Sequence, residues 1–287
     1  MEWLERLNEA VAYIEEHLEE DVQIGEAAKI ACCSTFHFQR MFSYIAGVPL
    51  GEYIRRRRMT CAALKLQRGE AKVIDLALQY GYESPTAFSR AFTMIHGMPP
   101  SAARHKGTVL KAYPRLAFLI TIKGDTEMNY RIEHKEAFRI VGAKRHFCGS
   151  AEESLEKVPQ FWGEVQANGD FARICALSNT QPCGVFGVTS CMDGKDFDYY
   201  IATASDMPVP EGLSECIVPE CDWAVFECRG AMPEAMQQLQ SRIITEWLPV
   251  SGYEYADAPD IEVYYEGDLR SPDYRSQVWM PVRKAKA

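Results

Sequence analysis

Between Trp3 and about residue 106, apolar residues recur every three or four positions. Beyond that the chain changes to short runs of period two, broken by two longer helical stretches. The first pattern predicts a domain built of helices, the second a sheet with helices on it. Trp3, Leu7, Val11, Ile14 and Leu18 share one face of an amphipathic leader helix. Gly107 and the stretch TVLKAYPRL interrupt the helical period, and Pro114 cannot continue it. The expected organisation is a two-domain chain: an all-α domain over 1–107, a linker over 108–125 in which LAFLITIKG reads as a strand, and an α+β domain over 126–287.

Within the helical half the pattern repeats. FQRMF at 38–42 returns as FSRAF at 88–92, and a shift of fifty residues also aligns Ile24 with Ile74, Ala27 with Ala77, Ser34 with Ser84, Gly47 with Gly97 and Pro49 with Pro99. Each copy reads as a short helix, a turn, an N-cap serine, a second helix and a glycine stop, which is helix-turn-helix geometry. A single helix over about 50–68 joins the two units. Helical periodicity buries Phe38, Met41, Phe42 and Ile45 in the first copy and Phe88, Ala91, Phe92 and Ile95 in the second. Thr35, Phe36, Gln39, Arg40 and Ser43 are then left outward, as are Pro85, Thr86, Ser89, Arg90 and Thr93. Arginine pairs with guanine through two donors, glutamine with adenine, and an aromatic ring or threonine methyl meets the thymine methyl, so both faces suit the major groove. An outer face that is merely solvated is the competing reading for either copy alone; duplication within a basic segment weighs against it.

Charge sharpens that contrast. The chain carries a net −9, but residues 27–112 hold thirteen Lys and Arg against four acids, a local +9. Residues 1–26 hold nine acids against Arg6, and the chain from 113 onward has a net of −10. One basic module between acidic flanks is the footprint of a chain in which a single domain meets phosphate. Arg55, Arg56, Arg57 and Arg58 sweep about 300° around their helix, so one or two can reach phosphate and the others pair with nearby acids. The ten cysteines are scattered, with no CxxC pair and no histidine at zinc-ligand spacing. Reduced thiols, no metal site and no cofactor are expected. With no apolar run of eighteen residues and an acidic leader, the expectation is a cytoplasmic protein that does not enter a membrane.

The helical half resembles the AraC-type transcriptional regulators, especially the subgroup of the multiple-antibiotic-resistance and right-origin-binding activators. STFHFQRMF, PLGEYIRRRRM and YGYESPTAFSRAFTMIHGMPP carry the resemblance. It implies two units entering successive major-groove segments of double-stranded DNA, with RNA polymerase as a further partner. Thr35, Phe36, Gln39 and Arg40 match reading positions of the first unit, and Thr86, Ser89 and Arg90 those of the second. Phe36 stands where relatives often carry tryptophan, and Pro85 and Thr86 where they often carry glutamine.

The second half contains two strand–helix–strand–strand units. FRIVGAKRHF, AEESLEKVPQFWGEVQANG, PCGVFGVTS and DFDYYIATAS form one; DWAVFECRG, PEAMQQLQSRIITEWLP, PDIEVYYEGD and RSQVWMPVRK form the other. Two such units build an antiparallel sheet with helices on one face and a ligand cleft along a pseudo-twofold axis. In PDIEVYYEGD, period two puts Glu262, Tyr264 and Glu266 on one face and Ile261, Val263 and Tyr265 on the other. By pattern alone, Glu262 is a solvated strand residue. This half, however, is similar to the gyrase-inhibitor-like effector-binding domains, through NYRIEHKEAFRIVG, FDYYIA, EWLPVSGYEY, PDIEVYYEGD and VWMPV. That resemblance implies Glu262 in an aromatic-lined cleft taking a small aromatic or cationic ligand. Tyr264, Trp162, Tyr200, Trp223 and Trp279 are the candidate stacking partners, although each aromatic read singly is core. The function expected is a ligand-modulated DNA-binding regulator, an activator and not an enzyme. The alternatives are a ligand-independent regulator whose second domain binds proteins, and a hydrolase that uses Glu262 with Trp162 and a tyrosine hydroxyl.

Overall fold

The computed structural model describes residues 2–105, 107–118, 127–148, 151–191 and 196–285. Seven helices come first: α1 (Glu2–Glu16), α2 (Ile24–Ile30), α3 (Thr35–Ala46), α4 (Leu50–Arg68), α5 (Val73–Gln79), α6 (Pro85–His96) and α7 (Pro100–Ala103). The two copies are built alike at atomic detail. The Ser34 and Ser84 hydroxyls accept hydrogen bonds from the backbone N–H of His37 and Ala87, which starts α3 and α6. Gly47 and Gly97 end them in the left-handed conformation, at φ 65° and 77°. Phe38, Met41 and Phe42 are buried in the first unit, and Phe88, Phe92 and Ile95 in the second.

Helix α4 serves both cores: Leu50, Tyr53 and Ile54 belong to the first, and Met59, Ala62, Ala63 and Leu66 to the second. Its four successive arginines, Arg55 to Arg58, all have protein partners. Arg55 and Arg56 pair with Glu52. Arg57 grips Glu15 through two nitrogens at 2.8 Å, and Arg58 donates to the Leu18 and Glu20 carbonyls. These bonds tie α1 to the joining helix. The segment after α7 runs back along the helical half. Tyr113 N–H donates to Thr60, and Phe118 exchanges two hydrogen bonds with the Asn8 amide at 2.8 and 3.0 Å. Leu116, Ala117 and Phe118, the described part of LAFLITIKG, form no strand; the rest of that stretch lies outside the described residues.

The second half forms one antiparallel sheet with helices: β1 (Tyr130–Lys135), β2 (Phe138–Cys148), α8 (Ala151–Ala167), α9 (Asp170–Ala176), β3 (Val185–Cys191), β4 (Asp196–Ala204), β5 (Ser214–Val218), β6 (Cys221–Arg229), α10 (Glu234–Arg242), β7 (Tyr253–Tyr255), β8 (Asp260–Tyr264) and β9 (Arg275–Lys284). Between α10 and β7 the helix loosens to a π turn over Ile243–Trp247. The strand order β1-β6-β9-β8-β3-β4-β2-β5 places β3 and β8 side by side at the centre, each flanked by the strands of its own repeat. The two sequence units therefore meet along the β3–β8 seam.

The sheet is strongly curled. β6 and β5 are six strand steps apart, about 29 Å if flat, yet only Pro219 and Glu220 join them in the chain, a reach of about 11 Å. The side chains inside the curl, among them Phe186, Tyr200, Trp223, Ile261, Val263 and Trp279, form a dry core of their own. The other face carries α8, α9 and α10. Among the described residues, no helix is long and apolar enough to cross a membrane.

Candidate effector cleft and DNA-reading faces

The helix-bearing face holds a cavity of about 1260 Å³ over the β3–β8 seam, with α8 on one side and α10 on the other. Alternation along β8 turns Asp260, Glu262 and Tyr264 to the helix-bearing face, where Glu262 and Tyr264 line the cavity and Asp260 meets α3, and it turns Ile261 and Val263 into the core. Glu262, half-buried, lines the cavity. Its Oε1 accepts from the Gln240 amide at 2.6 Å, and its Oε2 accepts from the hydroxyls of Tyr264 at 2.9 Å and Tyr199 at 3.2 Å. The Tyr199 oxygen in turn accepts from the Trp162 indole N–H at 3.1 Å. Burial pushes the Tyr199 and Tyr264 phenols far above their ordinary value, and the Glu262 charge pushes the same way. Both hydroxyls therefore stay protonated and keep donating to the carboxylate. The Trp162 and Tyr264 rings meet edge to face at 5.0 Å.

This network needs a glycine beneath it. Gly187 pairs with Glu262 across the seam, and a Cβ there would collide with the Tyr199 hydroxyl and lie 2.9 Å from Glu262 Oε2. The second glycine of GVFGVTS therefore leaves room for the carboxylate and its donor.

Of the predicted effector residues, the structure gathers Glu262, Tyr264 and Trp162 in this cavity. Tyr200, Trp223 and Trp279 are corrected: they lie inside the sheet's curl, on the opposite face. Tyr200 and Trp279 are each capped there by a lysine, Lys144 at 5.6 Å and Lys135 at 4.4 Å from the ring centre. The residues missed were Gln240 and Tyr199. Alternation along DFDYYIATA puts either Tyr199 or Tyr200 on the helix side, and nothing local to the run says which.

The predicted reading faces have different surroundings. On α6, Thr86 and Arg90 are exposed and Ser89 is half-exposed. On α3, Thr35, Phe36, Gln39 and Arg40 are each partly covered, because α3 packs against the second domain. Arg40 donates to Asp260 Oδ2 at 2.8 Å, and His37 Nε2 lies 3.2 Å from the same oxygen. The His37 ring stacks on Tyr255 at 3.9 Å. Phe36 packs on Phe197 with ring centres 5.3 Å apart, and the Tyr44 hydroxyl donates to Gln240 at 3.0 Å. Burial opposes the Asp260 charge, but His37 and Arg40 outweigh it and hold the carboxyl below its ordinary range. His37 and Asp260 were not legible as site residues, since the pairing joins positions more than two hundred residues apart.

A family described as a GyrI-like small molecule binding domain matches residues 128–283, and one described as a helix-turn-helix domain matches residues 27–106. The HTH-type transcriptional activator AarP of Providencia stuartii is 38% identical over 102 residues, covering 36% of this chain and 76% of AarP. Regulatory protein SoxS of Escherichia coli K12 is 36% identical over 100 residues, covering 35% of this chain and 94% of SoxS. The solved structure of SAV2435 bound to tetraphenylphosphonium superposes with a TM-score of 0.51 at 23% identity, over 54% of this chain and 94% of that one; at that identity the likeness is one of fold. Two helix-turn-helix units ahead of a curled sheet with a carboxylate-centred cleft place the chain among the AraC-type helix-turn-helix regulators that carry a GyrI-like small molecule binding domain.

Proposed function

We propose that the chain regulates transcription by reading double-stranded DNA with its two helix-turn-helix units, and that a small cationic aromatic ligand bound beside Glu262 modulates it. The observation that carries the ligand class is the Glu262 carboxylate, fixed by three donors, in a roomy cavity walled by aromatic rings and lined by a second acid, Glu266. Gln240, Tyr199 and Tyr264 orient the charge without neutralising it. A delocalised cation gains from the carboxylate and from the faces of Trp162 and Tyr264, each cation–π contact contributing about 0.5–2 kcal/mol. It is also dehydrated more cheaply than an ammonium. SAV2435, with the same fold, was solved with such a cation.

On the DNA side, Thr35, Phe36, Gln39 and Arg40 of α3 and Thr86, Ser89 and Arg90 of α6 are the proposed readers. As an activator, which is what AarP is described as being, the chain would also contact RNA polymerase.

Calorimetric titration of the full chain with tetraphenylphosphonium tests the ligand reading. Glu262→Gln keeps the shape and removes the charge, so binding should weaken by about 1.5–3 kcal/mol, the range for a lost charge-assisted contact. Equal affinities in wild type and variant would remove the carboxylate from the ligand site.

A further inference from the structure

The DNA-reading helix of the first unit is also a wall of the effector cavity. Phe36, Arg40 and Tyr44 line one side of it, facing Trp162, Tyr199 and Glu262. The groove of B-DNA admits a helix only if its outer face is bare, and here that face is partly covered by α8, by the π turn after α10, and by side chains of β4, β8 and α10. The second unit, with Thr86 and Arg90 in solvent, has no such cover.

The chemistry of the cover resembles what it excludes. Asp260 offers Arg40 a carboxylate where DNA would offer a phosphate or a guanine edge, and it does so from a domain of opposite net charge to the helical module. Asp260 and Glu262 lie two residues apart on one face of β8, so their carboxylates are about 7 Å apart along the strand. Arg40 takes the first, and the second faces the cavity. A relay links the two sites as well: Tyr44 donates to Gln240, and Gln240 donates to Glu262.

Resting on the ligand reading above, we propose that α3 is held in the effector cleft with Arg40 as its resident cation, and that a cationic ligand beside Glu262 opposes this docking and so releases α3 to DNA. A second positive charge one strand repeat away repels Arg40 in a poorly solvated site. It also draws on the Glu262 charge that orients Gln240, the acceptor for Tyr44. In the released state Arg40 regains water and then a DNA partner, so the ligand favours the DNA-competent form and, by linkage, DNA favours ligand binding.

The test uses the full chain and a duplex selected from a random pool by the Asp260→Asn variant, with tetraphenylphosphonium as the ligand probe. Asp260→Asn keeps the shape but removes the carboxylate that Arg40 pairs with in the docked state, leaving only the more distant Glu262 charge. Without ligand, it should bind the duplex at least tenfold more tightly than wild type. Tetraphenylphosphonium should raise wild-type affinity toward that of the variant and leave the variant unchanged. Tyr44→Phe, which cuts only the hydroxyl bond to Gln240, should shift affinity the same way by a smaller factor; if Asp260→Asn fails to fold, Tyr44→Phe selects the duplex and decides the matter. Equal ligand-free affinities in wild type and variants would overturn the docking. A cation that binds by calorimetry yet leaves wild-type DNA affinity unchanged or lowers it would overturn the antagonism. Absence of cation binding would instead overturn the ligand reading, and the comparison of ligand-free variants would still judge the docking.

Discussion

At the scale of the residue, the cleft depends on what is missing at position 187 as much as on the carboxylate opposite. Tyr199 reaches Glu262 by lying across the seam, and only a residue without a side chain lets it do so. Gly187→Ala puts a methyl group where the hydroxyl now sits, and Tyr199 must swing away from both Glu262 and Trp162. The expected outcome is a loss of about 1–3 kcal/mol in stability, the usual range for an inserted methyl in a packed site, with weakened binding of tetraphenylphosphonium. Thermal unfolding and calorimetry on the same sample check it; unchanged values in both would show that Tyr199 is not held there. Acid should not open the α3 contact at physiological pH. The Asp260 carboxyl is depressed in the docked state, so its contribution is complete above the ordinary aspartate range and is lost only as pH falls through the lower docked value.

At the scale of the element, the two proposed reading helices differ in what surrounds them rather than in how they are built. Serine caps, glycine stops and phenylalanine anchors recur in both, and all were legible because they are local or repeat at a fixed spacing. Arg90 on α6 is exposed, so it can enter a groove without any rearrangement of the chain. Arg90→Ala should cost about 1–3 kcal/mol in specific affinity, the range for a bidentate base contact, with little change in salt dependence. Electrophoretic titration against a selected duplex and scrambled DNA measures it; a uniform loss on both would assign Arg90 to phosphate instead. The sheet was legible as strands and repeats, and Glu262 could be placed on its face by alternation. The faces of β4, β6 and β9 could not. A curled sheet is apolar on both sides, so Tyr199 and Tyr200, or Trp279 and its neighbours, carry no contrast in polarity to say which side faces a cavity. Asp260 stayed hidden for a different reason, because its meaning comes from Arg40, which the fold brings to it from another domain.

At the scale of the whole molecule, the uneven charge along the chain gains a structural role. The basic module does not stand apart from the acidic half: Arg6 pairs with Glu254 and Arg40 with Asp260, and one continuous core runs from α1 through α3 to β9. If α3 is docked in the resting chain, only the second unit can contribute fully to phosphate neutralisation. Each phosphate contacted adds about 0.9 to the slope of log affinity against log salt. The ligand-free wild type should therefore show a shallower slope than Asp260→Asn, by about 2 if release of α3 brings at least two further phosphates into contact. Saturating tetraphenylphosphonium should steepen the wild-type slope toward that of the variant. Parallel lines at all conditions would mean that α3 contributes equally to DNA in both chains, and the covered helix would then have no bearing on how the protein binds DNA.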